Sequence, residues 1–117
     1  MYLTGFADEA ARGLEGQIRA TRELGWCCIE SRNIDDVNIH NLSEAAFDAA
    51  AVKLDAAGIR VNCFGSAIAN WAKDVRKPFD TDLQETARAI SRMRRLGTKM
   101  IRIMSYPPFG DRPLDDQ

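Results

Sequence analysis

The chain has 117 residues with 16 basic and 17 acidic side chains, a net charge of −1, and 45% hydrophobic and 28% charged residues. This is ordinary globular composition for one domain, or for part of a larger one. The charge balance leaves no electrostatic footprint for nucleic acid or an anionic membrane, and no apolar run is long enough to span a bilayer.

The predicted elements follow one another as βα units. Strand-like sequence from Tyr2 to Ala7 opens the chain, with no basic segment of a signal peptide before it, so a cytoplasmic protein is expected. Asp8 and Glu9 follow in a loop. A first helix over Leu14 to Leu24 carries a thin stripe of Leu14, Ile18, Thr21 and Leu24, and stops at Gly25. A short strand, Cys27 to Ser31, comes next. The neighbouring Cys27 and Cys28 are expected on opposite faces of that strand, as small buried hydrophobes. The three cysteines, an odd count without metal-type spacing, suit a reducing compartment.

Arg32 to Asn41 reads as a long loop with Asp35, Asp36 and the only histidine, His40. Ser43 is the expected N-cap of a helix over Glu44 to Ala57, whose core face is Phe47, Ala50, Leu54 and Ala57. Gly58 ends it, and a strand over Val61 to Phe64 follows. A loop over Gly65 to Pro78 holds Asn70 and Trp71. Asp80 or Thr81 caps a third helix to Leu96, with Leu83, Ala87, Ile90 and Met93 facing the core. The basic set Arg88, Arg92, Arg94, Arg95 and Lys99 reads as a solvated face. Gly97 precedes a last strand, Met100 to Met104, and Pro107 to Pro113 reads as loop. The glycines at 25, 58 and 97 each mark a helix stop before a buried strand, the punctuation of parallel α/β architecture.

Strand alternation divides the residues between two faces. Leu3, Ile29, Val61, Cys63, Ile101 and Ile103 are expected to face the helices. Phe6, Asp8, Cys28, Glu30, Arg32, Asn62, Phe64, Arg102, Met104 and Tyr106 are expected on the other face. Glu30, Asn62 and Arg102 fall at matching depth on three strands, and the opposite charges of Glu30 and Arg102 suggest a pair. The layered lumen of a (β/α)8 barrel accommodates such polar positions better than a doubly wound sheet, which covers both faces with apolar helix contacts. The expected fold is therefore an incomplete TIM barrel of about four strands and three helices, with a flavodoxin-like sheet as the alternative. Right-handed crossovers put the helices on one side. The other face would be closed by more chain or by another subunit, so a homo-oligomer is among the expectations.

Gly5-Phe6-Ala7-Asp8-Glu9, Ile29-Glu30-Ser31-Arg32, Gly58-Ile59-Arg60-Val61 with Gly65-Ser66, and Ile101-Arg102-Ile103 with Ser105-Tyr106 occur in this order. Together they resemble the N-terminal part of the xylose-isomerase-like TIM barrels, the sugar phosphate isomerases and epimerases also related to endonuclease IV. The resemblance covers essentially the whole chain but less than half of a typical member. It implies residues 1–117 as the first half of a single barrel domain. It also implies a sugar or sugar phosphate as substrate, and a divalent metal held by residues of later strands. The metal or an acid/base pair then moves a proton next to a carbonyl. Ser31 departs from the apolar residue usual at its position, Asn70-Trp71 stand where a basic residue is often found, and no histidine falls at a strand end.

The candidate substrate-binding residues are Glu30, Arg32, Asp8, Asn62, Ser66, Arg102 and Tyr106. Glu30 and Arg32 either hold substrate hydroxyls or form a lumen ion-pair network. Asp8 and Glu9 bind a sugar hydroxyl or are solvated. Asn62 and Ser66 suit a polyol, Ser66 alternatively shaping a turn. Arg102 and Tyr106 reach a phosphate or hydroxyl, or Arg102 fills a lumen layer. Trp71 walls a sugar face or packs across its loop. His40 is expected exposed rather than metal-bound. A half-barrel that dimerises or binds sugar without catalysis is the reading from another class. A nuclease-like relative is disfavoured by the charge.

Overall fold

A computed structural model describes residues 1–108 and Gly110. The remainder of the expected 107–113 loop, Phe109 and 111–113, lies outside the described residues. The architecture is mixed α/β. After a single 3-10 turn at Ala7–Glu9 come α1 (Leu14–Glu23), β1 (Cys28–Ser31), β2 (Asn33–Ile34), β3 (Val37–Asn38), α2 (Glu44–Ala57), β4 (Arg60–Gly65), α3 (Asp80–Leu96) and β5 (Met100–Arg102). β1, β4 and β5 form a parallel sheet in that order, and β2 and β3 form a separate antiparallel pair. No helix among the described residues is long and apolar enough to cross a membrane.

The glycine punctuation takes the expected form. Gly25, Gly58 and Gly97 have φ of 69°, 69° and 67°. This left-handed conformation lets the Gly58 and Gly97 amides close back on the last helical turns, to the Asp55 and Arg94 carbonyls. Ser43 caps α2 by accepting from the Ala46 amide at 3.2 Å. α2 buries Phe47, Ala50, Ala51 and Leu54, close to the expected face.

Several expectations are corrected. The segment Tyr2–Ala7 does not make a strand. Only Phe6 bridges to Glu30, in parallel, with the Glu30 amide donating to the Gly5 carbonyl at 2.9 Å. The chain coils into the 3-10 turn immediately afterwards, so the ladder does not propagate, and Tyr2 and Leu3 stay exposed. The long loop after Arg32 contains a tight hairpin. Asp35 and Asp36 both take positive φ, 52° and 62°, the demand of a two-residue turn matched to strand twist.

The third correction concerns the faces of β4. Ile29 pairs with Val61, but Glu30 pairs with Cys63, so Asn62 is an extra residue in the ladder. A bulge of one residue reverses every side chain after it. Phe64 therefore enters the helix-side core, fully buried with Ile39, Phe47, Ile68 and Ala89. Cys63 turns to the side of Glu30. On the helix side, Ile29 and Val61 join Leu14, Ile34, Ala50, Leu54 and Ile59 in a second cluster. Leu3 and Ile103 are exposed, and Ile101 lies at the margin of exposure.

The fourth is α3, which buries Asp82, Ala89 and Arg92 and exposes Leu83 and Ile90. Arg92 is not solvated. Its guanidinium donates to the carbonyls of Ile39 (2.6 Å), His40 (3.0 Å) and Leu42 (2.6 Å), and to the Glu44 carboxylate (2.8 Å). Unpaired buried carbonyls are expensive. Satisfying the backbone between the hairpin and α2 thus decides which face of α3 turns inward. His40 is likewise buried, its ring 6.1 Å from that of Phe64.

Candidate functional site

The C-terminal ends of the parallel strands bring several candidates together. Phe6 sits beside Glu30 on the sheet, and the 3-10 turn that follows carries Asp8 back toward the end of β1. There Arg32 Nε donates to Asp8 Oδ2 at 2.8 Å and Asn33 Nδ2 donates to the same oxygen at 2.9 Å. Glu9 lies 3.5 Å from the other end of the guanidinium. Hydrogen bonding to Asp8 holds the Arg32 guanidinium above its usual range. The second carboxylate oxygen, Asp8 Oδ1, is buried and accepts no hydrogen bond.

Phe6 is the platform of this site. The Arg32 guanidinium lies 4.5 Å from its ring centroid and that of Arg102 lies 5.2 Å from it. The negative π-face of an aromatic ring attracts a guanidinium, and the ring of Phe6 does so for both while leaving their positive charges unneutralised. Arg102 reaches the Ser66 carbonyl only at 3.5 Å, and its Nε is buried without a partner. Glu30 and Arg102 form no ion pair among the described residues, because Arg102 lies on the ring of Phe6 instead. Both act on the Cys63 thiol between them: burial foremost and the Glu30 charge push it up, while Arg102 draws it down.

The other candidates are already engaged. Ser66, fully buried, donates to the Arg102 carbonyl at 2.6 Å and accepts from the Ile68 amide, so it ties β4 to β5. Asn62, at the bulge, accepts from the Thr4 hydroxyl at 2.8 Å. Tyr106 belongs to a separate cluster, where it donates to Asp82 Oδ2 at 2.6 Å. Lys73 donates to Asp82 Oδ1 at 2.6 Å and to Glu85, and the Ala69 amide also donates to Asp82. Lys73 first and Tyr106 next hold Asp82 down to about 2, and the Asp82 bond pushes the Tyr106 hydroxyl up. Trp71 is exposed.

Phe6 as an arginine platform, Asn33 as a second donor to Asp8, and the Lys73–Asp82–Glu85 cluster are not legible as a site in the sequence. The nearest signal is the charge spacing in 73–85, which reads equally as a solvated loop and helix start. For a divalent metal, the described residues offer no group of three or more His, Cys, Asp or Glu side chains placed to hold the ion. His40 has both ring nitrogens buried without partners, and burial, aided by Arg88, Arg92 and Lys73 and opposed by Glu85, pushes its pKa down. Compared with family models, curated proteins and solved structures, the chain gives no match.

Proposed function

We propose that this chain is the N-terminal half of a sugar isomerase or epimerase of the (β/α)8 barrel type, and that Asp8, Glu30, Arg32 and Arg102 around Phe6 are its substrate-side residues. The observation that carries the reading is the Asp8–Arg32–Phe6–Arg102 group at the C-terminal edge of a parallel sheet. That edge is where α/β folds place their ligands. Asp8 Oδ1 is a buried acceptor in need of a donor, and Arg102 Nε a buried donor in need of an acceptor. A polyol supplies both from adjacent hydroxyl or carbonyl oxygens. In this reading Asp8 takes the hydrogen of a substrate hydroxyl. Arg102 donates to a neighbouring oxygen, and Arg32 fixes the carboxylate. The order β1-β4-β5, with each parallel strand beside the preceding parallel one, is compatible with successive barrel strands.

The resemblance implies a divalent metal, whose donor set the described residues do not provide. The reaction class is proton transfer next to a carbonyl of a sugar or sugar phosphate. A non-catalytic sugar-binding half-barrel is the second reading. It is favoured by one observation, that Asp8 is already tied by two hydrogen bonds and so better fixed for holding a ligand than for moving a proton.

The test is an NMR titration of the protein with aldoses, ketoses and their phosphates, run beside deuterium wash-in at the carbon next to the carbonyl. Amide shifts centred on Asp8, Arg32 and Arg102, weakened about tenfold or more by Arg32→Met, are expected for binding. Because the residues implied to hold the metal lie on later strands, these 117 residues alone are expected to bind without wash-in, and wash-in by a longer form carrying those strands separates the enzyme from the binding module. Neither shifts nor wash-in with any of these sugars would remove both readings.

A further inference from the structure

The opposite end of the sheet carries an arrangement that the sugar site does not use. Cys27 lies just before β1, outside the strand, so it is not obliged to point away from Cys28. Its sulfur is 3.7 Å from that of Cys28. The Arg60 guanidinium, from the first residue of β4, stands over both, with Nη2 3.9 Å from Cys27 Sγ and 3.6 Å from Cys28 Sγ. Cys27 is exposed and Cys28 is buried. Cys28 and Arg60, with Tyr2 and Lys99, line a cavity of about 500 Å³ at the N-terminal ends of the strands.

We propose that Cys27 and Cys28 form a peroxide-reactive thiol site, with Cys27 the attacking thiolate, Cys28 the resolving thiol and Arg60 the positioning cation. An exposed thiol beside a guanidinium is the environment that makes a cysteine nucleophilic, and an adjacent second thiol is what makes its oxidation reversible. The two sulfurs are differentiated. Hydrogen bonding from Arg60, then from Cys28, pulls the Cys27 thiol down, whereas burial foremost pushes the Cys28 thiol up. Cys28 is thus the less acidic of the two thiols, and its sulfur lies within hydrogen-bonding distance of that of Cys27.

The chemistry balances with a hydroperoxide as oxidant. The Cys27 thiolate attacks the terminal peroxide oxygen. An S–O bond forms, the O–O bond breaks, and the remaining oxygen leaves as the alcohol or water after taking up a proton. Sulfur is oxidised by two electrons to the sulfenic acid, and the peroxide is reduced. The Cys28 sulfur then attacks the Cys27 sulfur. An S–S bond forms, the S–O bond breaks, and the hydroxyl leaves as water with the Cys28 proton. The product closes a small ring across one peptide bond. That geometry is strained, which makes the disulfide easily reduced by small thiols and suits a reversible modification.

The experiment treats the 117-residue chain with hydrogen peroxide and maps each cysteine by mass spectrometry, with iodoacetamide and dimedone as probes. At neutral pH, Cys27 is expected to alkylate about tenfold faster than Cys63. One equivalent of peroxide should remove Cys27 and Cys28 together from the alkylatable pool, reversibly with dithiothreitol. Cys28→Ser should leave a dimedone-trappable sulfenate on Cys27. Arg60→Gln should move the pH midpoint of Cys27 alkylation upward, and Arg60→Lys should restore much of the effect. Cys27 reacting no faster than Cys63 would overturn the proposal. So would an unmoved pH midpoint in a folded Arg60→Gln chain, or both thiols surviving peroxide. The Cys27 to Cys63 comparison needs no variant, so it stands whether or not any substitution folds.

Discussion

At the scale of single residues, burial without partners is the feature with most consequence. His40 is fully enclosed beside Phe64, within electrostatic reach of Glu85, Lys73, Arg88 and Arg92, with neither ring nitrogen hydrogen-bonded. Folding therefore favours the neutral ring and depresses its pKa below the ordinary value of 6.5. The unfolded chain takes up the proton first as pH falls, so the stability His40 permits is complete above about pH 7 and is lost as pH drops below the ordinary value. Unfolding free energies from urea titrations between about pH 7.5 and 5 are expected to decline, by at most about 1.4 kcal/mol per pH unit from this one site. His40→Leu, which keeps an apolar neighbour for Phe64, should flatten that decline. A slope unchanged in the variant would show that another group carries it. Asp82, held down to about 2, loses its partners only in much stronger acid and does not interfere.

At the scale of elements, what is legible in the sequence is the part written locally. The three helix stops can be read because a left-handed residue leaves a glycine in the chain, and α2 because its apolar side chains recur on one face. The bulge at Asn62 cannot be read, since Val61-Asn62-Cys63-Phe64 alternates plausibly in either phase, and simple alternation puts Phe64 and Cys63 on each other's faces. The phase of α3 is hidden for a different reason: its inward residues, Asp82 and Arg92, are chosen by loop carbonyls and amides far away in sequence. Within the candidate site, Asp8 and Arg32 are legible as charges at strand ends. Their direct ion pair, with the guanidinium also on the Phe6 ring, is tertiary and leaves no spacing to detect.

Two glycines with opposite constraints put these backbone demands to the test. Gly58 has φ of 69° and open space where a Cβ would stand, whereas a Cβ at Gly65 would lie 2.8 Å from the Ser31 carbonyl oxygen and 3.0 Å from Arg32 Cα. Gly58→Ala should cost about 1 kcal/mol through backbone strain alone. Gly65→Ala should cost about 2 kcal/mol by forcing β4 from β1, and should also shift the amide resonances of Arg32 and Asp8. Equal costs, with Arg32 undisturbed, would contradict the close approach of the two strands.

For the whole molecule, the uneven dressing of the sheet matters most. β1 has Phe6 on its outer side, but β5 has no strand beyond it among the described residues, and Met100 within it and Ile103 just after it are 50% and 63% exposed. Parallel sheets are normally covered on both faces, and an apolar edge strand is a template for pairing. Sedimentation velocity is expected to show concentration-dependent association, and Ile103→Lys should reduce it by placing a charge on the edge. A monomer at all concentrations, in both proteins, would mean that the edge is shielded.

The strand order also bears on how the chain is made. Each strand of the sheet lies against the one synthesised before it, across a single intervening long helix. For the pairing of its parallel strands, a nascent polypeptide leaving the ribosome thus never has to wait for a later partner: β4 finds β1 already out, and β5 finds β4. Assembly can run in the direction of translation, one crossover at a time, and the newest strand is always the one with a vacant side.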